Sequence, residues 1–181
     1  MNTYISMLRG INVSGQKKIR MAELQRLYEA SGLVDVVTYI QSGNVVFDGP
    51  EPDASKLREL IEGQTEKAFG FQVSVFIRDA QEFRRIIDSN PFLRQRNEDP
   101  AKLHVTFLYQ APSPAAWDTL SVPEGETDEF VRGEKEIFLF CPNGYGTTKL
   151  SNSFFERKLG VPATTRNWRT VNVLYDIAIK R

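Results

Sequence analysis

The apolar positions of this chain switch repeatedly between short runs that suit a strand and a spacing that suits one face of a helix. Tyr4 to Leu8 form such a run, ended by Arg9 and Gly10, which predicts a buried strand over residues 3–9. After the polar loop INVSGQKKIR, Met21, Leu24, Leu27 and Tyr28 recur at helical spacing until Gly32, predicting a helix over 21–31. Two β-rich runs, 36–40 and 45–47, are joined through Gln41-Ser42-Gly43-Asn44, a hairpin whose glycine can take a positive φ. Pro52 and Asp53 open a second helix with Leu57, Leu60, Ile61 and Ala68 on one face and Gly70 at its end. From 71 to 77, Phe71, Val73, Val75 and Ile77 alternate with Gln72 and Ser74, as in a half-buried strand. The order βαββαβ is the split βαβ or ferredoxin-like unit, a four-stranded antiparallel sheet with two helices on one face.

A third helix is predicted at 79–89 from Phe83, Ile86 and Ile87, stopped by Asn90-Pro91. The polar segment 94–100 marks a boundary, so the expected organisation is a ferredoxin-like subdomain over 1–92 and a second α+β subdomain over 93–181. In the second, the pattern gives a strand at 103–109, a helix at 114–120 started by Ser113, strands at 128–132 and 136–141, and helices at 148–159 and 166–178. That order, βαββαα, is a variant copy with a helix where the unit calls for a last strand. Sequence identity between the halves is too low to name a repeat. The predicted fold class is α+β.

Composition changes this picture little. With 41% hydrophobic and 25% charged residues and twelve Phe, the chain reads as soluble and globular. No run approaches the ~18–20 apolar residues of a membrane helix, and no signal-peptide layout follows Met1, so the expectation is a cytoplasmic protein with no membrane partner. The single Cys141 allows no internal disulfide, and the single His104 cannot supply a multi-histidine site, so no metal or cofactor is expected.

Charge changes it more. The formal net charge is zero, yet residues 1–22 hold Arg9, Lys17, Lys18 and Arg20 with no acid, while residues 112–136 hold seven acids against Arg132 and Lys135. Such polarity can orient an anionic ligand. The stretch Gly144 to Val171 concentrates Lys149, Arg157, Lys158, Arg166 and Arg169 against Glu156 alone, among threonines and Ser151 of the kind that cap helix starts, where free amides attract anions. If a helix runs from 166, Trp168, Val171, Leu174, Tyr175 and Ala178 share its apolar face, leaving Arg166 and Arg169 near its positive end, against local preference. An anion site, a structural ion pair and a solvated face each account for that placement.

The turn Asn143-Gly144-Tyr145-Gly146 lacks Walker or dinucleotide spacing, and a strand-to-helix turn explains its glycines equally well. The loop with Gly10, Asn12 and Gly15 is a second basic strand-to-helix connection. For catalysis, Cys141 reads as a buried inert thiol, His104 as a hydrogen-bonded strand histidine, and Glu134 and Glu136 as a solvated hairpin; no triad forms.

LRGINV (8–13), YIQSGNVVF (39–47), LHVTFL (103–108), CPNGYG (141–146), TKLSN (148–152) and TTRNWRTV (164–171), in this order, resemble the bacterial domain of unknown function 1697 family over nearly the whole chain. The resemblance implies a two-part α+β fold with ferredoxin-like elements and implies no activity. The expected function is binding of a phosphate-bearing small molecule or nucleotide in a basic cleft between the two halves. Arg9, Lys17, Lys18, Lys149, Arg157, Arg166 and Arg169 would supply charge, and Asn12, Asn44, Ser151 and Asn167 directional hydrogen bonds. The other classes are a nucleic-acid-binding protein, disfavoured by zero net charge and the absence of an RNP-like aromatic string, and a protein interaction module without a small-molecule ligand. Catalytic residues and oligomeric state are left unassigned, and whether the protein is an enzyme stays open.

Overall fold

β1 (Asn2–Leu8) is a central strand of the first sheet, paired along one edge with the second strand of a hairpin and along the other with the strand that closes the unit. The computed structural model describes all 181 residues. The chain divides into two compact units, Met1–Arg85 together with Val173–Arg181, and Ile86–Asn172. No helix is long and apolar enough to cross a membrane.

In the first unit, β1 is followed by α1 (Met21–Ala30), β2 (Val34–Tyr39), β3 (Asn44–Gly49), α2 (Ala54–Phe69) and β4 (Val75–Asp79). The sheet order is β2-β3-β1-β4, antiparallel throughout. Alternation sorts the side chains by face. Tyr4, Leu8, Val45, Phe47, Val75 and Ile77 pack with Leu24 and Tyr28 of α1 and Leu57 and Ile61 of α2. Tyr28 meets Phe47 edge-on at 5.3 Å, and its hydroxyl is 2.8 Å from Ser6 Oγ. The other face carries Ile5, Met7, Val46 and Phe76, also buried. Asp53 caps α2 by accepting from the Ser55 N–H at 2.9 Å, and Gly70 ends it at φ +77°. The strand expected over 71–77 begins only at Val75, since β1 offers Leu8 as its last partner; Phe71 and Val73 instead pack into the core from the run-in.

α3 (Ala80–Ser89) and the short α4 (Pro91–Arg94) lead to β5 (Leu103–Leu108), α5 (Pro114–Asp118), β6 (Glu129–Arg132), β7 (Glu136–Phe140), α6 (Asn152–Leu159), β8 (Ala163–Asn167) and α7 (Trp168–Ile179). The second sheet, β6-β7-β5-β8, is also antiparallel throughout. Leu108, Ile137, Leu139, Cys141 and Ala163 form a core with Leu150, Phe154, Phe155 and Leu159. The α+β class stands, and the strand order of both sheets is compatible with two ferredoxin-like halves.

The second half is fuller than the expected βαββαα. The helix expected from 166 starts at Trp168, and Arg166 and Asn167 are the end of a strand that pairs with β5, Val105 opposite Arg166 and His104 opposite Asn167. Apolar spacing from Trp168 onward is helical, but the β-branched Thr164 and Thr165 before it favour a strand once β5 supplies a partner. Likewise the helix expected from 148 starts at Asn152, with Ser151 accepting from the Phe154 N–H at 3.2 Å as its cap.

The two units repeat local devices. α2 and α6 each end on a left-handed glycine, Gly70 and Gly160, whose N–H donates to the Glu66 and Glu156 carbonyls. β4 and β8 each end in a buried arginine and an Asx residue. Arg78 Nη1 donates to the Ile77 carbonyl at 2.9 Å, and Arg166 Nη1 to the Thr165 carbonyl at 3.0 Å. Asp79 Oδ1 then accepts from the Glu82 N–H at 2.7 Å, and Asn167 Oδ1 from the Thr170 N–H at 2.8 Å, starting α3 and α7.

Candidate functional site

The predicted ligand residues fall on three parts of the chain, two in the second unit and one in the first. Lys149, Ser151 and Arg157 belong to the loop before α6 and to α6 itself. Lys149 and Arg157 share a concavity of about 450 Å3 with Lys158, Phe154, Ser121 and Pro123. Ser151 does not line it; its hydroxyl is spent on the helix cap. Arg157 and Lys158 occupy the last turn of α6, where the helix dipole favours cations. The Arg157 guanidinium lies 5.9 Å from the Phe154 ring centroid. Lys149 is tied to the acidic connection between α5 and β6: its N–H donates to Glu126 Oε2 at 2.6 Å and its Nζ to the Glu124 carbonyl at 3.0 Å. The Lys149 N–H is the chief reason that the Glu126 carboxyl lies below the usual range.

A second group sits at the junction of β8 and α7. Arg166 is buried and donates to Thr164 Oγ1 at 2.9 Å as well as to the Thr165 carbonyl. Burial pushes its guanidinium down to about 10, opposed by Tyr145. Asn167 and Arg169 are exposed, Asn167 capping α7 through its Oδ1.

The third group is in the first unit. Asn12, at φ +56°, closes the loop after β1: Nδ2 donates to the Ile19 and Gln41 carbonyls at 2.9 and 2.8 Å, and Oδ1 accepts from the Ile19 N–H at 2.9 Å. Asn12 and Lys18 line a concavity of about 510 Å3 with Arg20 and Glu23. Lys17 turns elsewhere, its Nζ donating to the Gln72 carbonyl at 2.8 Å. Arg9 is half-buried just past β1, its N–H donating to the Ser74 carbonyl. Asn44 is buried in β3, donating to Ser42 Oγ at 2.8 Å and the Tyr39 carbonyl at 3.2 Å. Lys158 and Arg20 lie outside the predicted set although each follows a predicted or basic neighbour in sequence; their nearness to Arg157 and Lys18 along the chain is the available signal.

The model of a protein family described as a protein of unknown function, DUF1697, matches residues 1–138. The chain belongs to this family. This DUF1697 protein also resembles a solved structure, the conserved bacterial protein SP0830 from Streptococcus pneumoniae. The two share 23% identity over 98% of each chain, with a TM-score of 0.73, a likeness of fold. Comparison with curated proteins finds no match.

The catalytic inventory of the DUF1697 chain stays short. Cys141 is buried at the end of β7, and burial first, then Asp128, push its thiol up to about 12, so it is protonated at neutral pH. His104 stacks on Tyr145 with ring centroids 4.8 Å apart, and burial lowers its pKa against the opposing effects of the Lys102 carbonyl and Asp128. Thr106, Thr165 and Asn152 form a hydrogen-bonded chain, Oγ1 to Oγ1 at 2.7 Å and Thr165 Oγ1 to Asn152 Oδ1 at 2.6 Å. These contacts join β5, β8 and α6 and leave no nucleophile beside a base.

Proposed function

We propose that this protein binds a phosphate-bearing small molecule on the second unit, in the concavity beside α6. Lys149, Arg157 and Lys158 act as counter-charges there, and Ser121 acts as a hydrogen-bond donor. The observation that carries the reading is the convergence of three cations, one just ahead of α6 and two in its last turn, on one concavity of about 450 Å3. That volume falls within the range of about 300–1,000 Å3 typical of small-ligand sites. Ammonium and guanidinium groups together suit a phosphoryl group, the guanidinium by bidentate donation and the ammonium as a point charge. Phe154 holds Arg157 in place from below. A phosphate would draw the Lys149 ammonium from the neutral Glu124 carbonyl to a full anion, a gain of charge-assisted bonding.

Titration calorimetry against inorganic phosphate, sugar phosphates and nucleotides, repeated with Lys158→Ala, tests the reading. Binding that weakens with added salt and drops at least about tenfold in Lys158→Ala supports it, since charge-assisted contacts carry about 1.5–3 kcal/mol. No heat with any phosphate, or equal affinity in the variant, refutes it.

A further inference from the structure

A second concavity, of about 500 Å3, opens in the first unit between the C-terminal halves of α1 and α2. Its chemistry differs from that of the basic concavity beside α6. The apolar wall is Leu27 and Ala30 from α1 and Ala68 and Phe69 from α2. Leu27 and Phe69 pack into the core below, whereas Ala30 and Ala68 are too small to fill the space above it. Phe69 is held against Phe71, with ring centroids 6.2 Å apart and planes 26° from parallel, so this wall is pre-formed. The rim carries Arg26 and Lys67 against Glu23 as the lone acid.

We propose that this groove is a site for an amphiphilic monoanion, a hydrocarbon body with a carboxylate head. The chain lies along Leu27, Ala30, Ala68 and Phe69, and the head meets Arg26 and Lys67. Three features select that class. A hydrocarbon wall favours an apolar body, because burial of such surface is the dominant favourable contribution to association. Two cations against one acid favour an anionic head over a neutral or cationic one. Lys67 stands in the last turn of α2, where the dipole favours a cation without any ligand, and Arg26 is exposed on α1 beside it at the rim, so the site is charged before binding. A phosphate without a hydrocarbon body gains nothing from the wall, which separates this site from the one beside α6.

The experiment is titration calorimetry of the full chain with decanoate below its micelle concentration, with decanol as the neutral analogue, and with vesicles of anionic lipid. Saturable binding of decanoate is expected. Ala68→Trp fills the groove from an exposed helix position and is expected to abolish binding. Ala30→Leu, a milder filling, weakens it and covers the case in which the tryptophan variant misfolds, as judged by far-UV circular dichroism. Arg26→Glu with Lys67→Glu weakens decanoate about tenfold while leaving decanol within about twofold, the scale of two exposed charge contacts. Any of four outcomes overturns the proposal: no saturable binding by the wild type, unchanged affinity in both filled variants, equal weakening of decanol and decanoate by the charge reversals, or binding to vesicles with none to free decanoate.

Discussion

Gly43 makes the sharpest prediction about stability, because steric and conformational costs coincide there and can be separated by a control. It sits in the turn before β3 at φ +75°, and its carbonyl accepts from the Leu8 N–H at 3.0 Å. A Cβ at this position would lie 2.6 Å from Ile11 Cδ1, 2.9 Å from Leu8 Cβ and 3.0 Å from Ile11 Cγ1. Leu8 and Ile11 are buried, so neither can step aside into solvent. The positive φ costs an alanine about 1–2 kcal/mol. Forcing a methyl into a packed core costs about 1–3 kcal/mol more. Gly43→Ala is therefore expected to destabilise the first unit by about 3.5 kcal/mol, the sum of mid-range values of the two effects. Gly32 provides the control, with φ +84° and open space where a Cβ would stand, so Gly32→Ala is expected to cost only the conformational part, about 1–2 kcal/mol. Urea unfolding followed by far-UV circular dichroism measures both. Tryptophan fluorescence is unsuitable, because Trp117 and Trp168 both lie in the second unit. With a slope of about 2 kcal/mol/M, the midpoint should fall by about 1.8 M for Gly43→Ala. Equal falls for the two variants, or a Gly43→Ala protein within about 0.5 M of wild type, would show that the loop after β1 yields and that the close approach to Ile11 costs nothing.

Two further predictions concern the second unit. The Cys141 thiol is raised from 9.0 to about 12, so the unfolded chain ionises first; the associated stability is full below about pH 9 and is lost as pH rises from there toward 12. Cys141→Ala should flatten that fall when denaturation midpoints at pH 7 and pH 9.5 are compared, and native protein at pH 8 should react with a thiol reagent only as fast as it opens; prompt labelling would contradict the burial. Ser151→Ala removes the α6 cap and should cost about 1 kcal/mol in thermal or urea unfolding. Its phosphate affinity should match wild type, and a large loss of affinity with unchanged stability would assign Ser151 to the ligand instead.

The legible part of the fold is the part in which one chain segment decides its own state. The helix stop at Gly70 and the hairpin around Gly43 follow from φ, and both can be read from single residues. The start of α2 is readable from Asp53, whose side chain caps it. β8 is not readable, because its five residues carry only Ala163 as an apolar side chain and owe their extended state to β5. A strand stabilised by a partner about sixty residues away leaves no period of its own, and the strong 3.6-residue pattern from Trp168 overruns it. The site is legible as composition and not as geometry. Cation clusters in the sequence bring out Lys149 and Arg157 together, but a set of charges cannot tell that Asn12 is consumed by Ile19 and Gln41 or Lys17 by Gln72.

The same limit bears on Arg166, which sequence reasoning places near a helix start and the fold places in a strand. Its counterpart Arg78 occupies the matching position of the other sheet: next to last in its strand, opposite Ile5 as Arg166 is opposite Val105, donating to the preceding carbonyl, and followed by an Asx cap. Two buried arginines in one register, each ahead of a helix started by Asp79 or Asn167, argue that the position serves the strand-to-helix corner of the unit. Side chains elsewhere in the two units differ, and no repeat is visible in the sequence. What persists is the backbone need common to both: a glycine to end α2 and α6, and an Asx oxygen to start α3 and α7.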